Sequence, residues 1–261
     1  MTNKVFTAAI AILLSLSTTW VYAATLSDTA KEARWAEQVV PSLLDGDAVM
    51  LDDGQGHEFL GIYTPADGEK RAVILVHGIG VHPNWPDVIY PLREALLEND
   101  ISSLSIQMPI LENEATEAEY LPLYDEAPGR IQAAVDFLKD AGYEKIDIAA
   151  HSMGSRMTVY FLSSEGAREV NSVVLIGMGE SGGDVWTKVL DTLADLRMPV
   201  LDLYGEKDLE NVLTSAQQRA ESGSKNKSGI FRQIEVEGAN HFFQGHEDEL
   251  KSAVMDWLQS S

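Results

Sequence analysis

The sequence predicts an α/β fold, in which a mostly parallel sheet is covered by helices on both faces. Segments with strand-like and helix-like patterns alternate along the chain, as expected for strands joined by helical crossovers. The run AVILV at 72–76 is wholly apolar, which is typical of a strand buried on both faces. Polar residues of chemical interest follow the ends of predicted strands, where parallel sheets bind their ligands.

Hydrophobic periodicity and turn residues define the predicted elements in order. The predicted strands are 58–63, 72–76, 101–107, 146–150, 172–176, 200–204 and 230–235. The predicted helices are 29–40, 85–99 with Pro86 near its start, 128–141 or 129–141, 153–164, 185–196, 210–221 and 247–258. Residues 64–70 are expected to form a turn, and 222–229 a surface loop. Between strands 172–176 and 200–204 there is room for one helix and a short loop, so no large cap domain is expected there.

The N-terminus predicts a bacterial export signal. Lys4 precedes an almost wholly apolar run at 5–16. Val21-Tyr22-Ala23 then has small residues at the two positions that a signal peptidase recognises. The apolar run is shorter than the roughly 20 residues of a membrane-spanning helix. We therefore predict a signal peptide at 1–23, cleaved after Ala23 or Ala24, and a single domain at 24–261. An uncleaved anchor or a buried first helix is the alternative.

Composition limits the compartment and the ligands. The chain has no cysteine, which excludes disulfides, a lipidated N-terminus and thiolate metal sites. Export without disulfides predicts a periplasmic or secreted protein with no stable membrane anchor after cleavage. There are 19 basic and 41 acidic residues, a formal charge of −22, which disfavours nucleic acid, anionic lipid and polyanionic substrates. Neutral or cationic small molecules are the expected ligands. The histidines lack the spacing of metal ligands, so no metal site is expected.

The segment KIDIAAHSMG at 145–154 predicts a nucleophile on a sharp turn between a strand and a helix. Ser152 stands at the apex, and the small residues Ala150 and Gly154 lie two positions before and after it. Such a turn lifts the serine Oγ away from the sheet and directs the N–H of Met153 toward a developing oxyanion. The usual pattern has glycine where Ala150 stands. The alternative is that Ser152 only caps the following helix, because serine is a favoured N-cap residue.

A serine nucleophile needs a base and a carboxylate that orients the base. With this type of turn the chain order is serine, then acid, then histidine. Asp208 follows predicted strand 200–204 and is the preferred acid, over Asp202 within the strand and Glu206 near its end. His241 follows the last predicted strand and is the preferred base, over His246 near the start of the final helix.

The second oxyanion donor is expected in the loop after strand 72–76. The sequence His77-Gly-Ile-Gly follows that strand directly, and its glycines allow a backbone N–H to turn toward the site. The N–H of Ile79 is the candidate partner of Met153 N–H. His77 itself is expected to have only a structural role, and His151 to be directed elsewhere by the serine turn.

Four motifs together resemble the α/β-hydrolase superfamily. They are His77-Gly-Ile-Gly, Ala150-His-Ser-Met-Gly, Gly205-Glu-Lys-Asp and Ala239-Asn-His, and the resemblance covers roughly 58–258. The stretch at 77–86 also resembles a bacterial subfamily of exported proteins of unknown function. The superfamily resemblance implies an eight-stranded, mostly parallel sheet, hydrolytic chemistry and no cofactor.

The leading functional prediction is a serine hydrolase that cleaves a carboxylic ester through an acyl-enzyme. A peptidase or amidase with the same residues is an alternative, and so is a non-catalytic envelope binding protein, because a fold does not fix a function. Segment 109–128 mixes acids with tyrosines and leucines. It is expected either to line the substrate pocket or to form an acidic surface loop anchored in the core.

Overall fold

The structure, a computed structural model, describes residues 26–68, 70–163 and 168–260. The predicted export signal lies outside these residues, as does Ser164 at the predicted end of one helix. None of the helices in the described ranges is long and apolar enough to cross a membrane.

A single eight-stranded sheet forms the centre of the fold. Its strands are β1 (Asp47–Asp52), β2 (Glu58–Thr64), β3 (Arg71–Val76), β4 (Ser102–Ile106), β5 (Lys145–His151), β6 (Val173–Ile176), β7 (Val200–Lys207) and β8 (Phe231–Asn240). They are arranged in the order β1-β2-β4-β3-β5-β6-β7-β8. The β1–β2 and β2–β4 pairs are antiparallel, and the other neighbouring pairs are parallel. This arrangement confirms the predicted mostly parallel sheet.

Helices cover both faces of the sheet. They are α1 (Thr29–Val39), α2 (Ile89–Glu98), α3 (Ala127–Asp140), α4 (Met153–Leu162), α5 (Gly183–Asp195), α6 (Glu210–Gly223) and α7 (Glu247–Ser260). Alternate residues of β3 enter two separate cores, as expected of a strand buried on both faces. Ile74 packs on the side of α3, α4 and α5, whereas Val73 packs on the side of α2 and α7. As predicted, no large cap domain lies between β6 and β7.

The first strand, β1, was not predicted as a separate element. It lies at the edge of the sheet and pairs only with β2. Of its six residues only Leu51 is buried. An edge strand of this kind lacks the apolar run or strict alternation that identifies strands in a sequence.

The end of the sheet that carries the predicted site extends further than expected. β7 continues to Lys207 and β8 to Asn240, and these two residues pair after an irregularity near Gly205. Asp208 and His241 therefore come directly after adjacent strand ends, with no intervening loop. A β-bulge of this kind commonly re-aims side chains next to active sites.

Two segments near the site differ from their predictions. Helix α2 begins at Ile89 and not at 85, because residues 82–88 form tight turns around Pro83 and Pro86 and Val88 has a φ of 44°. Within 109–128, residues Glu117–Asp125 form a 3₁₀ helix. Three of its apolar side chains are buried: Tyr120, Leu123 and Tyr124. The segment is thus anchored in the core, as one of the two alternatives expected, and its Glu117 also lines a cavity, as the other alternative expected.

Candidate active site

Ser152 occupies a strained turn between β5 and α4. Its backbone has φ 57° and ψ −124°, in a region that non-glycine residues rarely adopt. The N–H of Ser152 donates to the carbonyl of Ile176 over 2.8 Å, which fixes the turn against β6. Ser152 lies at the N-cap position of α4, but its side chain makes no capping hydrogen bond. Capping therefore does not account for this serine, and its hydroxyl is left for another partner.

Two glycines make room for the turn. A Cβ on Gly154 would lie 2.3 Å from the carbonyl oxygen of His77, and a Cβ on Gly78 would lie 3.0 Å from the Cβ of Ser152. A side chain at Gly154 would clash with the loop after β3, and a side chain at Gly78 would crowd Ser152. Steric constraints therefore favour glycine at positions 78 and 154 of the two motifs.

Ser152, His241 and Asp208 lie in one hydrogen-bonded line. The Nε2 of His241 is 3.0 Å from the Oγ of Ser152, and its Nδ1 is 2.6 Å from Oδ1 of Asp208. Both His241 and Asp208 are buried. Because a carboxylate only accepts, Nδ1 carries the proton and donates it, so the Nε2 lone pair faces the serine hydroxyl. This arrangement can take a proton from Ser152.

The charge of Asp208 is stabilised by three donors. Burial acts to raise the pKa of its carboxyl group, but hydrogen bonds from His241 and from backbone N–H groups outweigh it and hold the pKa below its usual value. The backbone donors are Leu209 at 2.8 Å and Gly205 at 3.3 Å. Asp208 is therefore ionised at neutral pH and orients the imidazole.

The competing acids and the competing base are engaged elsewhere. Asp202 accepts from Nε of Arg219 at 2.8 Å in a fully buried ion pair. Glu206 accepts from the N–H of Gly238 at 2.8 Å. The ring of His246 lies beside Glu249, with 3.7 Å between Nδ1 and Oε1. Thus Asp202, Glu206 and His246 do not join the line.

His151 contacts the site, contrary to the expectation that the turn directs it elsewhere. Its Nε2 donates to the backbone carbonyl of His241 over 2.9 Å, and the two rings lie 4.8 Å apart. Burial, with His241 beside it, lowers the pKa of His151 to about 3, so this imidazole is neutral. Its position next to Ser152 was the one signal that the sequence offered.

His77 anchors the glycine loop. Its Nδ1 donates to the carbonyl of Gly78 over 2.7 Å, and its Nε2 accepts from the N–H of Met108 over 2.9 Å. Burial lowers its pKa to about 3, so His77 stays neutral and connects the loop after β3 to the loop after β4. The hydrogen bonds found for its side chain lead to these two loops and not to Ser152, in keeping with a structural role.

Ile79 and Met153 line the same cavity as Ser152. No hydrogen-bond partner for the N–H of Ile79 is found among the described residues. Met153 is the first residue of α4, so its N–H has no acceptor within the helix. Two backbone N–H groups without an acceptor among the described residues therefore belong to residues that line the cavity, which is one condition of an oxyanion site.

The cavity in front of Ser152 has a volume of about 230 Å³. Its apolar walls come from Ile79, Val81, Trp85, Met153, Leu209, Val212 and Phe242. A larger cavity of about 720 Å³, lined by residues such as Lys188 and Leu196, holds none of the predicted site residues. Within the described ranges, no three His, Asp or Glu side chains are grouped so that they could hold a metal ion.

One charged pair also lines the small cavity. The guanidinium of Arg156 lies 2.5 Å from the carboxylate of Glu117. Sequence analysis did not select Arg156. Its spacing of four residues from Ser152, about one helical turn, was the available signal.

The fold is similar to that of several solved α/β hydrolases. Est1E from Butyrivibrio proteoclasticus matches with a TM-score of 0.64 and 17% identity, over 83% of this chain and 98% of its own. Dienelactone hydrolase from Anabaena variabilis matches with a TM-score of 0.66 and 19% identity, over 83% and 97%. The Pyrococcus furiosus esterase Pf2001 matches with a TM-score of 0.67 and 17% identity, over 87% and 96%. At such identities the likeness shows an α/β-hydrolase fold.

Sequence comparison adds the family. No curated protein matches the chain. The model of one family, described as "Protein of unknown function (DUF3530)", matches residues 17–128 and 124–260. Since these two matches together span most of the sequence, the chain belongs to that family. This member of the family has an α/β-hydrolase fold.

Proposed function

We propose that this protein is a serine hydrolase that cleaves a carboxylic ester through an acyl-enzyme intermediate. The observation that carries the proposal is the hydrogen-bonded line from Ser152 through His241 to Asp208. Ser152, at one end of this line, stands on a strained turn and lines a largely apolar cavity. The similarity in fold to the Pyrococcus furiosus esterase Pf2001 supports the choice of an ester.

In the first half-reaction, Ser152 Oγ attacks the acyl carbon while its proton passes to Nε2 of His241. Asp208 holds the Nδ1 proton and stabilises the imidazolium. The N–H groups of Ile79 and Met153 stabilise the tetrahedral oxyanion. His241 then protonates the departing alcohol, which leaves the acyl group bonded to Ser152.

In the second half-reaction, water attacks the acyl-serine and gives its proton to Nε2 of His241. A second tetrahedral intermediate collapses, the acid leaves and Ser152 regains its proton. The apolar walls of the cavity would hold the organic part of the ester.

The substrate class and the location follow from charge and from the N-terminus. The net charge of −22 favours a neutral or cationic small ester over an anionic one and gives no attraction for nucleic acid. The predicted signal peptide supports a site of action in the periplasm or the medium.

The test is a panel of p-nitrophenyl esters with acyl chains of two to eight carbons, run with wild type and Ser152→Ala. Wild type is expected to hydrolyse at least one ester, and Ser152→Ala to lose several orders of magnitude in kcat/KM. Ser163→Ala is the matched control, because this serine is exposed at the end of the same helix. A serine-directed fluorophosphonate should label wild type and Ser163→Ala but not Ser152→Ala.

Wild type that is neither labelled nor active on any ester would contradict the proposal. The same panel with p-nitroanilides separates an esterase from an amidase that uses the same residues.

A further inference from the structure

We infer that the ion pair between Arg156 and Glu117 selects substrates whose acyl group carries no negative charge. The inference rests on the proposed function and assigns two specificity-determining residues to the same site. Both side chains line the cavity that contains Ser152.

Arg156 is a fixed part of the cavity wall. Its Nε donates to the hydroxyl of Tyr124 over 2.9 Å, and its Nη1 donates to the carbonyl of Gly179 over 2.8 Å. Its side chain is 5% exposed. Both of these acceptors are neutral, so neither compensates the guanidinium charge, which is permanent at any ordinary pH.

Glu117 supplies the missing negative charge. Its carboxylate lies 2.5 Å from Nη2 of Arg156, and its side chain is 43% exposed. It comes from the 3₁₀ helix Glu117–Asp125, a different segment from α4. The pair makes the charge of this part of the wall close to zero.

The pair has opposite effects on different acyl groups. A carboxylate on the substrate meets a cation whose charge Glu117 already compensates, so it gains no net attraction to offset the loss of its hydration in the cavity. A neutral group meets no net charge. Glu117 therefore masks a cation that would otherwise attract acids.

Glu117 is the side chain to change, because it is partly exposed and contacts Arg156 from outside the core. Glu117→Gln keeps the size and the hydrogen-bonding ability of the side chain but removes its charge. The permanent charge of Arg156 is then uncompensated, and the cavity gains a site for a carboxylate.

The experiment compares p-nitrophenyl hexanoate with p-nitrophenyl hydrogen adipate, which has the same chain length but ends in a carboxylate. Wild type is expected to prefer hexanoate. Glu117→Gln should raise the adipate-to-hexanoate ratio of kcat/KM about tenfold, near the lower end of the range for one unit charge over several ångströms, because Glu117 is partly exposed and screened by water. Glu117→Asp, which keeps the charge, should keep the wild-type preference.

Glu114→Gln is the matched control. Glu114 is exposed in the same segment and does not line the cavity, so this variant changes the net charge equally but should leave the ratio unchanged. An unchanged ratio in Glu117→Gln, or an equal change in Glu114→Gln, would overturn the inference, since a purely structural pair would alter both esters alike.

If wild type hydrolyses neither of these two esters, binding tests the inference separately, whereas the proposed function fails only if wild type is also inactive on the whole panel and is not labelled. Methyl hexanoate and monomethyl adipate are then titrated by calorimetry into Ser152→Ala and into Ser152→Ala with Glu117→Gln. Tighter binding of the adipate only in the second protein supports the selective pair. Equal binding of the adipate by both proteins overturns it.

Discussion

The imidazole rings of His151 and His241 lie 4.8 Å apart at an angle of 42°, and Nε2 of His151 donates to the carbonyl of His241. His151 is the last residue of β5, directly before Ser152. The strand that carries the proposed nucleophile therefore also holds the backbone of the proposed base. Because His151 is neutral, it adds no positive charge beside the imidazolium that forms during the reaction.

His151→Phe should lower kcat while leaving KM nearly unchanged. Phenylalanine fills a similar volume but loses the hydrogen bond to His241, and a displacement of about 1 Å at a reacting group can cost about 100-fold in rate. We expect a loss of about 10- to 100-fold, measured on the best ester of the panel. His151→Gln keeps an amide donor and should recover part of kcat. Equal losses in both variants would show that His151 has no positioning role through its hydrogen bond.

Asp208→Asn should lower kcat about 10³- to 10⁴-fold with little loss of stability. An amide at this position favours the wrong tautomer of His241, and the corresponding change in a serine protease costs about 10⁴-fold. Steady-state kinetics and urea unfolding measure the two effects. Retention of more than a tenth of the activity would remove Asp208 from the proposed mechanism.

Asp202→Asn should lower stability and leave kcat nearly unchanged, the reverse of Asp208→Asn. Asp202 is the counter-ion of the fully buried Arg219, and removing one partner of a buried pair typically costs about 3–5 kcal/mol. The free energy of unfolding should fall by that order, while kcat of the folded protein stays near wild type. If Asp202→Asn were stable and inactive, the assignment of the two acids would be reversed.

Acid should weaken the fold well before the carboxylates titrate. His77 and His151 have pKa values of about 3 because they are buried, whereas an unfolded histidine titrates near 6.5. Between these values the unfolded state binds protons that the folded state does not, so stability falls as pH falls. Each histidine should remove about 1.4 kcal/mol per pH unit.

Urea unfolding at pH 7, 6 and 5 measures this slope. In His77→Gln the free energy of unfolding should depend less steeply on pH than in wild type, because about one proton fewer is taken up on unfolding. The lowered pKa of Asp208 acts in a different window, because its contribution is complete above pH 3.8 and is lost only below it. A wild-type stability that is level from pH 7 to pH 5 would contradict neutral, buried histidines.

The three residues of the proposed mechanism were predictable because each follows a particular strand. In a parallel sheet the carboxyl ends of the strands share one edge, so chain order alone brings Ser152, Asp208 and His241 to that edge. Their hydrogen-bonding distances depend on the bulge between β7 and β8. No residue pattern in the sequence predicts that bulge.

The contacts between loops were not predictable in this way. Arg156 and Glu117 come from α4 and from a segment 39 positions earlier in the chain. Nothing in either local sequence selects the other as its partner, since the pairing depends on how the 3₁₀ helix packs on the sheet. The same segment did contain a local signal: Tyr120, Leu123 and Tyr124 have the i, i+3, i+4 spacing of a buried helical face.

Ala150→Gly should reduce stability without improving catalysis. Ala150 stands where the usual pattern has glycine, yet it lies fully buried in β5 between Val76 and Leu175 and does not line the cavity. The substitution removes one buried methyl group, which costs about 0.8 kcal/mol of stability. Glycine also has more conformational freedom in the unfolded chain, which costs roughly 0.5–1 kcal/mol. We therefore expect a loss of about 1–2 kcal/mol in urea unfolding, with kcat within about threefold of wild type on the p-nitrophenyl panel. A rise in kcat of tenfold or more would mean that the methyl group restricts the serine turn, which its packing in the core argues against.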